Sequence, residues 1–461
     1  MLDVKTLENI ESLVVSYQNS PKAQDASAQV IFGAVQAQGN LPVSIGNGFV
    51  AGNGITLSSL SRLGYATPER VGMSSEKLHK IDAVAQRAVD EKMTPGIQLL
   101  VARKGKVIYN KNFGKHTYDT DSEPVKFNDI YDVASLTKIL ATLPLLMELE
   151  EKGIVSLDTK LSKILPEYAN SNKKDITLKQ MLSHYARLSP WIPFYFATLD
   201  SNKLPDPKYY RKEYGGKFTV KVANELYMRA DYQDSMQKII RESDLLKTLR
   251  YRYSDLPYYI LKKYLEKYYE KGLDELVQDH FYQSLGANHT TYNPNTKFSD
   301  INIVPSEMDD YYRYQKVQGY VHDMGAAMQG GVGGHAGIFS NANDVAKIMQ
   351  TYLQKGFYGG KRYFKSVTLD KFNTCFYCDK DNRRGIGFDK PQLGESGPTC
   401  GCVSMTSFGH SGFTGTYAWA DPEEEIVYVF LANRTYPNAG ANTLLKENIR
   451  TDIQALIYEA I

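Results

Sequence analysis

The chain has 461 residues, enough for one large domain with an appendage, and its 54 Lys+Arg against 52 Asp+Glu leave a formal net charge of +2. With no basic stripe and no long apolar run, a nucleic-acid partner and a membrane span are not expected. Met1 to Glu8 is mixed and charged, so no secretory leader is expected there.

Residues 1–65 read as a small α/β fragment. Ser12 to Tyr17 is a short apolar strand pattern, Ser20 to Ala34 an amphipathic helix with Ser20 at its cap and Pro21 at its first position, and Gly39 to Ser44 a second strand. One strand-helix-strand unit cannot cover both faces of its own sheet. The run Ile31-Phe32-Gly33-Ala34 followed by Gly39-Asn40-Leu41-Pro42-Val43-Ser44 resembles the end of the C-terminal sheet domain of glycoside hydrolase family 3. That resemblance implies an upstream glycoside hydrolase region missing from this chain. The family's catalytic carboxylate lies in that region, so no glycosidase activity follows.

After a Gly/Ser-rich connector from Ala51 to Ser61, residues 66–461 read as a second domain. Ser74 to Lys92 has a helical pattern, and Gly96 to Thr117 alternates as a hairpin turning at Lys104-Gly105-Lys106. A helix follows Ser135, with Pro144 inside it as a bend. Thr177 and Gln180 form a capping-box start. Residues 186–250 are irregular and rich in Tyr, Pro and charge, among them Trp191, Tyr195, Tyr209, Tyr210 and Tyr214; they read as an ordered lid-like insertion. Its Trp191 and nearby tyrosines are candidate stacking surfaces. Helical patterning resumes from Leu256 to Gly272. Phe408 to Arg434 alternates as two strands around Asp421-Pro422, and Ala441 to Ile461 closes the chain as an amphipathic helix. Helices gathered between a hairpin and C-terminal strands predict an α+β arrangement: one antiparallel sheet, completed by both ends of the domain and flanked by helices.

The four cysteines lie between Cys375 and Cys402, as Cys375-x-x-Cys378 and Cys400-Gly401-Cys402. A metal knuckle, one or two disulfides and free thiols all fit this spacing. With no histidine in the cluster, and Cys-x-Cys an unusual zinc half-site, a disulfide joining the two halves is favoured.

Chemistry centres on Ala134-Ser135-Leu136-Thr137-Lys138. Positions i and i+3 share a helix face, so the Ser135 hydroxyl and the Lys138 amine are expected to meet. A desolvated lysine can be neutral enough to take the serine's proton. Ser-x-x-Lys occurs four times, from Ser74, Ser135, Ser171 and Ser235, but only Ser135 opens a long apolar helix. Its companions are Tyr253-Ser254-Asp255, which also reads as a helix cap, and Gly409-His410-Ser411-Gly412-Phe413-Thr414-Gly415, which also reads as a Gly-rich turn. The Phe413 N–H is a candidate oxyanion donor. Gly330 to Gly337 holds five glycines around a structural His335, with Ser340 and Asp344 expected to cap the next helix.

In order and spacing, Ser135-Leu136-Thr137-Lys138, Tyr253-Ser254-Asp255 and His410-Ser411-Gly412 resemble the serine β-lactamase and DD-peptidase superfamily, closest to its class C-like branch with esterases and penicillin-binding-protein-like hydrolases. Ile176 to His184 and Gly337 to Asp344 support the resemblance, which spans about residues 66 to 461. It implies a β-lactamase/transpeptidase-like fold with a helical subdomain. It also implies Ser135 as nucleophile, Lys138 as base, Tyr253 as proton relay and an oxyanion hole from the N–H groups of Ser135 and Phe413. Asp255 stands where an Asn is usual, and His410 where a Lys is usual. A mostly neutral histidine weakens binding of a substrate carboxylate, which leaves esters or other amides in play.

The expected function is therefore a serine hydrolase acting through an acyl-serine on an ester or amide, related to the cell wall or carbohydrate, in the periplasm or envelope of a bacterium. Its partner is a small-molecule or cell-wall-derived substrate held by Phe413, His410, Ser411, Gly412 and Trp191; no metal or cofactor is expected. The rival is a catalytically silent peptidoglycan- or glycan-binding module, against which Ser135, Lys138 and Tyr253 stand together; Asp255 is counted with them as a candidate catalytic residue.

Overall fold

The computed structural model describes residues 12–44, 49–440 and 442–461. Its centre is a six-stranded sheet whose strands come from residues 64–114 and 408–432. The strands are β1 (Gly64–Tyr65), β2 (Gly96–Arg103), β3 (Lys106–Gly114), β4 (Phe408–Ser411), β5 (Tyr417–Asp421) and β6 (Ile426–Ala432), in spatial order β1-β3-β2-β6-β5-β4. All neighbours are antiparallel except β1 on β3; Leu100 faces Asn110 on one side and Val429 on the other. The hairpin turns at Lys104-Gly105, where both residues have positive φ. Three strands, not two, fill Phe408 to Arg434. The extra turn falls at Gly412 to Gly415, and Gly415 takes a φ of +104° there.

Alternate residues of the central strands point to opposite faces, and both faces are covered. Ile97, Leu99, Val101, Trp419 and Phe430 pack against Ile81, Ala85 and Ala88 of the helix Lys80–Asp90, and against Ile449, Ile453 and Ile457 of the helix Ile449–Glu459. Leu100, Ala102, Ala418, Val427 and Val429 face Ile139, Leu140 and Leu143 after Ser135, and Val345 and Met349 of the helix Ala342–Leu353. That second layer carries the Ser135 segment onto the sheet.

Several sequence expectations change here. Ser12 to Tyr17 and Gly39 to Ser44 are not strands; only the helix Pro21–Ile31 forms, with Ser20 at its cap and Pro21 at its first position. This N-terminal piece lies along the sheet edge, where Lys106 Nζ donates to Ala34 O and the Tyr65 N–H donates to Gln29 Oε1. Insertion 186–250 is ordered, with a three-stranded sheet of Tyr210–Arg211, Leu226–Arg229 and Phe218–Ala223, and a helix Tyr232–Glu242. Its Tyr195 and Tyr210 are buried and pack near Tyr312, so they offer no free stacking face.

The cysteines pair locally, as Cys375–Cys378 and Cys400–Cys402, and do not join the two halves. The halves are held by different elements. The Cys400 N–H is bound by Gln454 of the C-terminal helix, whereas Cys375 follows the helix Ser366–Asn373. Within each half the Cα atoms are 5.6 and 5.3 Å apart, inside the reach of a bridge. Asn341, not Ser340 or Asp344, caps the helix Ala342–Leu353, accepting from the Asp344 N–H; Asp344 instead holds the His289 N–H and Lys347.

Candidate active site

Ser135 sits in one turn of 3₁₀ helix, Ala134–Leu136, which runs into a wide π turn, Lys138–Thr142, and then the α-helix Leu143–Glu151. Pro144 therefore lies at the start of the α-helical part, where its missing N–H is harmless, and the irregular π turn precedes it. Ala134 has φ +46°, a conformation uncommon outside glycine. Tertiary contacts hold it there. The Ala134 N–H donates to Asp132 Oδ1, while Thr414 and Thr416 donate from beyond β4 to the carbonyls of Asp132 and Val133. Gly412 is needed at this junction: a Cβ there would lie 2.1 Å from Thr416 Oγ1 and 2.6 Å from Val133 O.

The i, i+3 expectation holds. Lys138 Nζ is 2.8 Å from Ser135 Oγ, and Tyr253 Oη donates to the same oxygen at 3.0 Å. Lys138 is fully buried; its ammonium also donates to His335 O at 3.2 Å and pairs with Asp255 Oδ1 at 2.7 Å. Burial on its own would lower the Lys138 pKa, but the charge of Asp255, with Tyr253 beside it, outweighs burial and raises it above the usual lysine value. With Asp255 in the Asn position, the Lys138 pKa therefore moves up, towards the ammonium, and not down as burial alone would set it. Burial also raises Tyr253; Asp255 adds to that, while Lys138 and Arg384 oppose it. The cap reading of Tyr253-Ser254-Asp255 is half right. Ser254 accepts from the Leu256 N–H at the start of the helix Leu256–Tyr269, while Asp255 makes no cap bond and turns to Lys138.

These groups open on a cavity of about 620 Å³ lined by Ser135, Tyr253, Asp255, Trp191, His410, Ser411, Gly412 and Phe413, so every sequence-selected site residue except the buried Lys138 faces it. Trp191 and Phe413 are 40% and 56% exposed, and the Phe413 N–H has no protein acceptor among the described residues. His410 is buried, and burial first, then the nearby charges of Arg384 and Lys138, push its pKa down to about 3. It is neutral at pH 7, as its residue type suggested. His335 is structural in the way expected: it pairs with Asp323 at 2.8 Å and stacks on Tyr259.

Sequence reasoning missed three arginines of the cavity: Arg384, Arg434 and Arg450. Arg434 lies over the Phe413 ring at 4.5 Å, Arg450 donates to Thr416 O, and neither pairs with a carboxylate among the described residues. Arg384 follows Arg383 in Asn382-Arg383-Arg384-Gly385-Ile386-Gly387, a doubled cation just before two glycines, and that was the only signal on offer. No group of three or more metal-binding side chains occurs among the described residues, and no helix there is long and apolar enough to cross a membrane.

The model of the family described as "Beta-lactamase" matches residues 81–449. An Escherichia coli (strain K12) protein described as "Putative D-alanyl-D-alanine carboxypeptidase" is 31% identical over 392 residues, covering 80% of this chain and 85% of that one. The hydrolase EstCE1, "with promiscuous acyltransferase activity", superposes with a TM-score of 0.60 at 18% identity, over 83% of this chain and 99% of that one. A penicillin-binding protein homologue from Caulobacter crescentus does so with a TM-score of 0.59 at 14% identity, over 85% of this chain and 99% of that one. At these identities the two structures speak for the fold. The site geometry and the family match lead to one conclusion: this chain belongs to the β-lactamase family and is a serine hydrolase of β-lactamase/transpeptidase-like fold.

Proposed function

We propose that Ser135 is the nucleophile of an acyl-transfer hydrolase acting on an ester or amide derived from the bacterial cell wall or its carbohydrate. The observation that carries this is one oxygen, Ser135 Oγ, held by both Lys138 and Tyr253 at the floor of the cavity. In this reading Tyr253 exchanges the proton with Ser135 and then with the leaving group, and Lys138 holds the serine oxygen as a fixed cation. The N–H groups of Ser135 and Phe413 receive the oxyanion of the tetrahedral intermediate. His410, Ser411 and Gly412 form the wall along which the substrate lies, and Trp191 is the apolar wall opposite; residues 186–250 act as a lid over residues 66–461.

A second reading, a peptidase for substrates ending in a carboxylate, is favoured by Arg434 and Arg450. They bring positive charge to the cavity where the β4 cation is absent. The name of the E. coli relative supports it. The same relative, together with the two disulfides, supports a periplasmic or envelope location. The N-terminal resemblance to glycoside hydrolase family 3 is kept as part of this setting.

Intact-mass spectrometry after incubation with a fluorophosphonate, a penicillin and short-chain esters tests both readings. A single adduct at Ser135, absent in Ser135→Ala, is expected from the fluorophosphonate. No adduct would overturn the nucleophile. Acylation by the penicillin in preference to the esters would decide for the carboxylate-bearing substrates.

A further inference from the structure

Arg384 comes from the loop between the helix Ser366–Asn373 and β4, and it is buried against the face of Tyr253, its guanidinium 5.2 Å from the ring centroid. Its Nε and Nη2 donate to Tyr251 Oη at 3.3 and 3.2 Å, and Nε lies 3.4 Å from Asp389 Oδ1. The same carboxylate is shared with Arg383. Arg383 grips both carboxylate oxygens, at 2.8 and 3.1 Å. Nη1 of Arg384 is buried with no partner among the described residues.

The charged and titratable groups around Tyr253 come from several elements. Lys138 comes from the Ser135 helix and Asp255 from the same segment as Tyr253. His184 follows the helix Leu178–Leu182, and Tyr258 lies on the helix Leu256–Tyr269. His410 comes from β4, and the Arg383–Arg384–Asp389 group from the loop before it. Burial and the neighbouring cations keep His184 and His410 neutral at pH 7. Lys138 and Asp255 offset one another, and Arg383 and Arg384 share the single carboxylate of Asp389, so that group carries two cations to one anion and a net positive charge beside Tyr253.

We propose that Arg384 is a positioning residue for the reaction: its guanidinium, one of two cations sharing the Asp389 carboxylate, faces Tyr253 and stabilises the Tyr253 phenolate that takes the Ser135 proton. Because Asp255 already neutralises Lys138, that lysine cannot play this part by itself. The Ser135 O–H bond breaks as its proton moves to Tyr253 Oη and Oγ bonds to the acyl carbon. When the leaving-group bond breaks, the same proton passes from the phenol to the leaving oxygen or nitrogen, and the phenolate is restored. Water then repeats the exchange: it gives a proton to Tyr253 as it adds to the acyl carbon, and Ser135 Oγ takes that proton as it leaves. The inference rests on Ser135 and Tyr253 carrying the chemistry.

The test is the pH dependence of kcat/KM for p-nitrophenyl acetate. Removing a cation makes the phenolate harder to form, so in Arg384→Gln the rising limb should move up by about one to two pH units. At pH 7 the loss should then be about tenfold or more, recovering towards the native rate at high pH. Arg384→Lys should restore most of the native limb. Arg383→Gln, changed outside the cavity, frees Asp389 to compensate Arg384 and should move the limb in the same direction by less. A uniform loss at every pH in Arg384→Gln, with the limb unmoved, would overturn the proposal. If that variant does not fold, an unmoved limb in Arg383→Gln overturns it. Fluorophosphonate labelling of the unmodified protein separates the two failures: no label at Ser135 sinks the underlying reading, whereas a label with an unmoved limb sinks only the role of Arg384.

Discussion

Lys138 and Lys390 are both closed off from solvent, at 0% and 7% exposure, yet their proton affinities move in opposite directions. Lys390 Nζ donates to Asn373 Oδ1 at 2.7 Å and to Ser407 O at 3.0 Å, all neutral acceptors, and burial takes its pKa down to about 8. Lys173, held by Asn172 and the Ser243 carbonyl, behaves the same way. Lys138 has a carboxylate, Asp255, at 2.7 Å and is raised instead. Burial alone drives a lysine towards neutrality, and one ion pair reverses the outcome. In the candidate active site that single residue sets the direction in which the lysine's proton affinity moves.

The comparison breaks most sharply when Lys138 itself is removed. Lys138→Ala should lower turnover of a short-chain ester by about 10⁴-fold or more, since members of one catalytic unit act together. Unfolding in denaturant should show a loss of about 1–3 kcal/mol from the Asp255 carboxylate left behind in a partly closed site. Activity within tenfold of native would show that the Ser135–Lys138 contact is incidental.

Asp255→Asn should make Lys138 resemble Lys390. Without the carboxylate, burial lowers the Lys138 pKa, so the site loses a proton more easily and the rising limb of the pH–rate profile should shift down by about one to two units. A limb that stays in place or moves up would mean that Asp255 does not control the site's proton.

The smallest effect is expected from the reverse exchange, Asn373→Asp, which gives Lys390 a carboxylate partner. In the native protein the folded-state pKa of Lys390 lies below its unfolded value. Its cost is therefore fully present below about pH 8 and is relieved as pH rises towards 10.4, because the unfolded chain binds more protons in that window. Asn373→Asp should remove part of that cost, about 1 kcal/mol at pH 7, and flatten the rise in stability between pH 8 and 10. Thermal unfolding at pH 7 and pH 10 measures both; an unchanged slope would count against the burial account of Lys390.

What was legible in the sequence was local. The Lys104-Gly105-Lys106 hairpin, the Thr177–Gln180 capping box and the Ser20–Pro21 helix start all form as expected, because each is set by residues within four positions of one another. The apolar strand pattern of Ser12 to Tyr17 pairs with no strand among the described residues, and a stretch becomes a strand only where another strand bonds to it. A strand was expected from Phe408; what stayed hidden was the turn at Gly412 to Gly415 that splits it into β4 and β5, which is set by the pairing of those two strands. The cysteine spacing admitted several pairings, and the anchors of the two halves chose among them.

By itself the sequence determined the nucleophile candidate and its nearest partner, Ser135 and Lys138, through the three-residue spacing, and it pointed to Tyr253, Asp255 and the His410 to Phe413 stretch as companions. Tertiary structure decided what those groups are. It turned Asp255 from a helix cap into the partner of Lys138, made His410 neutral by burial, and brought Arg384 from more than 100 positions away to the face of Tyr253. The reason is physical: residue type sets what a group can do, but its charge state depends on burial and on the charges packed around it, and those come from parts of the chain that meet only in the folded protein.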